Sequence, residues 1–172
     1  MSTSVRLAFV SMWGCSCLLT TDAAERVTVE PGEHALTIRI GGEEFTTYRY
    51  SPDQPKPYFS PVRAPGGAIV SRPLNDPDDK DHPHHRGIWN AVDEVNDVDF
   101  WAERGKIVSR DVQWSQTGDS VQLVVRNDWM GPEQPVVHEA STITIAPNRL
   151  MVYHMTFLKP DNVPSVTFGD TK

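Results

Sequence analysis

Beyond position 17 the chain contains no cysteine, and beyond its first 20 residues it has no apolar run long enough to cross a membrane. It also lacks a basic surplus, because 23 acidic residues face 16 basic ones for a formal charge of −7. That balance argues against a nucleic-acid partner, whose phosphates must be neutralised by Lys and Arg. Without a run of about 18 apolar residues there is no membrane span after the N-terminal segment. Disorder is excluded by what is present, since 38% of the residues are hydrophobic and 9% aromatic.

The N-terminus has the order of an export signal. Arg6 supplies a positive charge, residues 7–19 form a mostly apolar core, and Thr21-Asp22-Ala23 puts small residues at −3 and −1 of a cut after Ala23. Both cysteines, Cys15 and Cys17, fall inside the segment to be removed. The mature chain then has no disulfide, zinc–thiolate site or thiol nucleophile. The sequence therefore predicts a signal peptide over 1–23, one domain over 24–172, and a periplasmic or extracellular address.

From Val27 onward no amphipathic helix of useful length is legible, and alternation of period 2 takes its place. Residues 34–40 and 44–50 alternate around Gly41-Gly42, a two-residue hairpin signal. Further β-rich runs cover 106–116, 120–129, 136–145 and 149–158, separated by Thr117-Gly118-Asp119, Met130-Gly131-Pro132 and Ala146-Pro147-Asn148. The fold class is all-β: an antiparallel β-sandwich or barrel. Residues 51–86 hold eight prolines and read as a long, packed, irregular loop without a central strand.

The densest chemistry is Asp81-His82-Pro83-His84-His85-Arg86-Gly87-Ile88-Trp89. One histidine in such a loop is ordinarily a solvated structural residue. Three beside an arginine mark a candidate site. Pro83 favours extended backbone at His82, so His82 and His84 are expected on one side and His85 on the other. His84 and His85 are the acid–base candidates, with their roles unassigned, and Asp81 would orient one of them. Arg86 would hold substrate. Alternatively, His82 and His84 form half of a metal site completed by His138, His154, Asp97 or Asp99. No glutamate follows at cupin spacing, because Ile88 and Trp89 stand there.

The next segment carries Asp93, Glu94, Asn96, Asp97 and Asp99, an acidic run that is either a solvated turn or part of the same site. Trp89 and Trp101 lie nearest the histidines in sequence and could stack on a sugar face. Among Trp89, Phe100, Trp101, Trp114 and Trp129, more are expected in the core than at the site.

Three motifs in order carry a family resemblance: Lys56-Pro57-Tyr58-Phe59-Ser60-Pro61-Val62-Arg63 with Pro65-Gly66-Gly67, then the Asp81–Trp89 knot, then Val95-Asn96-Asp97-Val98-Asp99-Phe100-Trp101. The chain resembles exported bacterial, planctomycete-type proteins labelled "methane oxygenase PmoA" or PmoA-like, a domain of unknown function. In that family the third motif reads Gly-Asp-Val-Asn-Gly-Val-Asp; here Asp93 and Asp97 replace the glycines. The resemblance implies a β-sandwich related to galactose-mutarotase-like supersandwiches, in which histidines perform acid–base chemistry on a sugar. It also implies that Phe168-Gly169-Asp170-Thr171-Lys172 is a motif cut short, so that the 24–172 domain is incomplete at its C-terminus. The label's membrane subunit is a multi-span helical protein, which a β-rich chain does not resemble.

The functional expectation is an exported carbohydrate-active protein: a hydrolase, lyase or epimerase if an enzyme. His84, His85 and Asp81 would be catalytic, and Arg86, Trp89, Trp101, Asn96 and Asp99 would bind a glycan or other small-molecule substrate. This reading requires no cofactor. The alternatives are a non-catalytic sugar-binding module, a divalent metal held by His82 and His84, and an inactive fragment.

Overall fold

The computed structural model describes residues 25–74 and 81–169. The expected signal segment, both cysteines and the last residues of the C-terminal motif lie outside them. Every element among the described residues is a strand. These are β1 (Val27–Gly32), β2 (Ala35–Ile40), β3 (Glu43–Arg49), β4 (Tyr58–Val62), β5 (Glu94–Val95), β6 (Val98–Asp99), β7 (Lys106–Thr117), β8 (Ser120–Met130), β9 (Pro135–Ile145) and β10 (Met151–Leu158).

Two antiparallel four-stranded meanders, β1-β2-β3-β4 and β10-β9-β8-β7, face each other. Strand alternation puts Leu36, Ile38 and Ile40 of β2 against Val121, Leu123 and Val125 of β8 and Ile143 and Ile145 of β9. Each such fully buried aliphatic side chain contributes about 1.5–3 kcal/mol. Gly41 and Gly42 both take left-handed φ, as the two-residue hairpin turn between β2 and β3 requires.

Two strands depart from the sequence expectation. β1 precedes the first alternating run, and β4 lies inside the proline-rich segment 51–86. Pro61 fits within β4 because that strand is at the sheet edge and its register to β3 shifts between Thr46↔Val62 and Tyr48↔Phe59. An edge position with an irregular register tolerates the missing N–H. The Ser60–Pro61 peptide is cis.

Beyond β4, Phe59 and Ile88 exchange backbone hydrogen bonds of 2.8 and 3.0 Å. The His-rich segment is thereby tied to the edge of the first sheet. Gly87 is essential to this approach: its φ is 88°, and a Cβ there would fall 2.2 Å from the Phe59 carbonyl oxygen. A second core, built from Val95, Phe100, Ile107, Trp129 and Val137, anchors the β5–β6 hairpin to the second sheet. Asn96 and Asp97 make the hairpin turn with φ of 48° and 64°. Asn and Asp tolerate this left-handed region better than other side chains, so the acid at 97 keeps a turn where the resembling family has glycine.

Candidate functional site

The His-rich segment folds as a turn rather than as extended chain. The His85 N–H donates to the His82 carbonyl at 3.1 Å, with Pro83 as the second residue of the turn. A fixed φ near −65° suits proline to that position. The expected split of His82 and His84 from His85 is therefore corrected: the ring centroids lie 4.5 Å (His82–His85), 4.8 Å (His84–His85) and 5.9 Å (His82–His84) apart.

Against this cluster stand Trp89 and Trp101, 4.6 Å apart, each within 5.7–6.3 Å of both His84 and His85. Trp101 reaches the cluster because residues 99–105 curl back on themselves. Asp99 accepts the Ala102 N–H at 2.8 Å through Oδ1, and its carbonyl accepts the N–H groups of Arg104 and Gly105, both at 3.0 Å. Glu103 adopts a φ of 61° within this curl.

Beneath the indoles runs a charged lock that the sequence did not disclose. Lys56 is 1% exposed, and its Nζ sits 3.4 Å from the Trp89 ring centroid. It donates to the Trp101 carbonyl at 3.3 Å and pairs with Glu103 Oε1 at 3.4 Å. Arg86 donates to both Glu103 oxygens, through Nε at 2.6 Å and Nη2 at 2.9 Å. Burial lowers the Lys56 ammonium to about 8, with Glu103 pulling the other way. Burial pushes the Glu103 carboxyl up, but hydrogen bonds from Arg86 and the charge of Lys56 outweigh it and hold the group below its ordinary value. Those same hydrogen bonds hold Arg86 above its own. Lys56 is fixed locally by the proline-rich loop, whose Pro55 carbonyl accepts the Ile107 N–H of β7 at 2.8 Å.

Above the lock the charged forms of His84 and His85 are disfavoured. Burial, then the charge of Lys56, lowers His84; burial, then His82, His84, Arg72 and Lys56, lowers His85. Both Nε2 atoms are buried, and no protein group among the described residues hydrogen-bonds to them. Buried polar atoms are ordinarily paired, and these two are exceptions. A cavity of about 380 Å³ opens here, lined by His82, His85, Asp93, Asp99 and Trp101 among others. A larger, shallower cleft of about 910 Å³ runs along Glu94, Asp97, Arg104 and Lys106 and has neither imidazole nor indole in its walls.

The structure thus brings together His82, His84, His85, Trp89, Trp101 and Asp99. The other expected residues have different surroundings. Arg86 has its Nε and Nη2 engaged by Glu103. Asp81 is exposed and makes no hydrogen bond to a histidine among the described residues. Asn96 clamps the C-terminal segment, donating to the Ser165 carbonyl at 3.0 Å and accepting the Thr167 N–H at 2.8 Å. For the metal alternative, His138 is paired through Nδ1 with Asp128 at 2.5 Å, and His154 is exposed on β10. Among the described residues no group of three or more His, Cys, Asp or Glu side chains is arranged to hold a metal ion.

Lys56, Glu103 and Arg72 were missed by sequence reasoning. Their partners lie on other segments of the chain, so no local signal marked them.

Fold and site together define an all-β sandwich with a histidine–tryptophan pocket at the edge of one sheet. A family model matches residues 35–172, and the chain belongs to that family, a family of unknown function (DUF6807). No curated protein and no solved structure matches the chain.

Proposed function

We propose that the chain is an exported carbohydrate-active protein that binds, and as an enzyme would act on, a glycan at the pocket walled by His82 and His85, with His84 packed against His85. The observation that carries this reading is the 380 Å³ cavity, in which an indole, two imidazoles and two carboxylates, Asp93 and Asp99, share one wall system. A flat aromatic face suits the C–H face of a sugar, while imidazole and carboxylate suit its hydroxyls. Trp101, 40% exposed, offers that face. Paired proton donors and acceptors across a small cavity are also what glycoside chemistry needs, whether by hydrolysis, elimination or epimerisation. The resemblance to PmoA-like exported proteins belongs to this reading through its sandwich and its histidines. Methane oxygenation does not, and no helix of the described residues is long and apolar enough to cross a membrane.

One observation favours binding without turnover: among the described residues, neither His84 nor His85 is hydrogen-bonded to a carboxylate that would orient it as an acid or base. The test is a panel of glycans assayed for binding and for turnover with the wild type and with His84→Ala and His85→Ala. Loss of turnover in both variants supports the enzyme, and loss of binding where the wild type shows no turnover supports the module. Full glycan turnover in both variants rules the pocket out. Export is tested by N-terminal sequencing of the mature protein, with a start at Ala24 expected.

A further inference from the structure

We infer that Arg72 is a positioning residue that fixes His85 in the Nε2–H tautomer, so that His85 meets an acceptor oxygen of the ligand as a hydrogen-bond donor and leaves the accepting role to Asp93 and Asp99. Arg72 Nη1 lies 3.4 Å from His85 Nδ1. A guanidinium has five N–H donors and no acceptor. The contact is therefore a hydrogen bond only if Nδ1 supplies the lone pair, which leaves the single ring proton of the neutral imidazole on Nε2. That nitrogen is one of the two buried atoms without a protein partner among the described residues. The orphan is thus a donor directed at no protein acceptor, and donors left in that state are costly unless a ligand or water takes the hydrogen bond.

The charges around the ring favour the same state. His82, His84, Arg72 and Lys56 all disfavour a second proton on His85, as does its burial. Asp93 and Asp99 line the same cavity and bring acceptor oxygens to it. A sugar hydroxyl bridging His85 and one of these carboxylates would accept from Nε2–H and donate to the carboxylate oxygen, satisfying both without moving a proton. A neutral imidazole can in the same way polarise a ligand oxygen while keeping its own proton. For the ligand, this inference rests on the glycan reading; for the tautomer, it stands on the Arg72 contact alone.

The test is a long-range proton–nitrogen correlation spectrum of the full chain labelled with ¹⁵N-histidine at neutral pH, with His85 assigned by His85→Gln. The expected wild-type pattern is a pyridine-like Nδ1 and a pyrrole-like, protonated Nε2. In Arg72→Met that pattern gives way to a mixture of tautomers and the ring's titration midpoint shifts upward, while Arg72→Lys, which keeps a donor, restores it. A protonated Nδ1 in the wild type overturns the inference, as does an unchanged pattern in a folded Arg72→Met. The wild-type spectrum decides the tautomer even if the variants fail to fold. The inferred tautomer in a protein that binds no glycan would support this inference and count against the function above; glycan binding with Nδ1 protonated would do the reverse.

Discussion

Two regions of this molecule take polar side chains away from water, and they treat them in opposite ways. In the sandwich interior, Glu139 is 3% exposed, yet each carboxyl oxygen has a donor: Trp129 Nε1 at 2.9 Å and Ser141 Oγ at 2.6 Å. Tyr48, Asn90, Asn127 and Tyr153 surround it, and the gap left among them is about 10 Å³, room for about one water at most. At the edge of the other sheet, the Nε2 atoms of His84 and His85 are equally hidden and have no protein partner among the described residues, and His85 lines a cavity of about 380 Å³. The Glu139 carboxylate is satisfied by the fold around it, whereas Thr46 Oγ1, also buried in the sandwich, has no hydrogen-bond partner among the described residues and no cavity beside it to account for that. A polar group left unsatisfied beside open space is better explained by what enters that space.

The contrast is broken most forcefully from the interior side. Glu139→Leu strands the Trp129 N–H and the Ser141 hydroxyl, and a loss of roughly 2–5 kcal/mol is expected in denaturant unfolding, each orphaned donor costing about 1–3 kcal/mol. His84→Gln and His85→Gln, by the same measurement, should move stability by no more than about 1 kcal/mol, because the buried Nε2 atoms have no partner to strand and His85 loses only one long, exposed hydrogen bond from Arg72. If the order were reversed, the histidines would be structural.

Next in size is Gly87→Ala. The added methyl meets the Phe59 carbonyl in a left-handed backbone conformation, so a loss of about 2–3 kcal/mol is expected. Hydrogen exchange should report faster opening at Phe59 and Ile88 before the rest of the sheet.

Glu103→Gln leaves Lys56 and Arg86 together without their shared carboxylate. The pair is partly exposed on the Arg86–Glu103 side, so about 1–2 kcal/mol is expected rather than the full penalty of a buried ion pair. The sharper readout is Lys56 itself, whose titration midpoint should fall further below about 8 once its only neighbouring anion in the lock is gone.

The smallest effect is on pH dependence. His84 and His85 are held below their ordinary value of 6.5. Between the folded and unfolded values the unfolded chain binds more protons, so stability falls as pH drops through 6.5 towards the folded values. Melting temperatures recorded from pH 7 to pH 5 should decline less in the His84→Gln, His85→Gln double variant than in the wild type.

How much of this was legible beforehand follows from the range of each interaction. β2, β3 and β7 to β10 were visible because alternation and turn residues are local signals. β1 ends in Pro31-Gly32, which disguised it, and β4 was hidden because Pro61 is excusable only at an edge, which is a tertiary fact. The histidines and the two site tryptophans stood out by density. Their grouping did not, since the 82–85 turn replaced an extended reading and moved His85 to the same side as its neighbours. The Lys56–Glu103–Arg86 lock could not be seen at all, because its members lie on three separate segments and meet only when β4, the His-rich turn and the 99–105 curl converge.

The most direct test is to titrate neutral, amino and acidic glycans into the ¹⁵N-histidine-labelled protein and follow every ring nitrogen. The expected result is that at least one glycan shifts the His84 and His85 Nε2 signals while those of His138 and His154, on the second sheet, stay in place. If no glycan moves His84 or His85, or if the shifts fall only on His138 and His154, the unpaired imidazoles are not a glycan site and the central claim is contradicted.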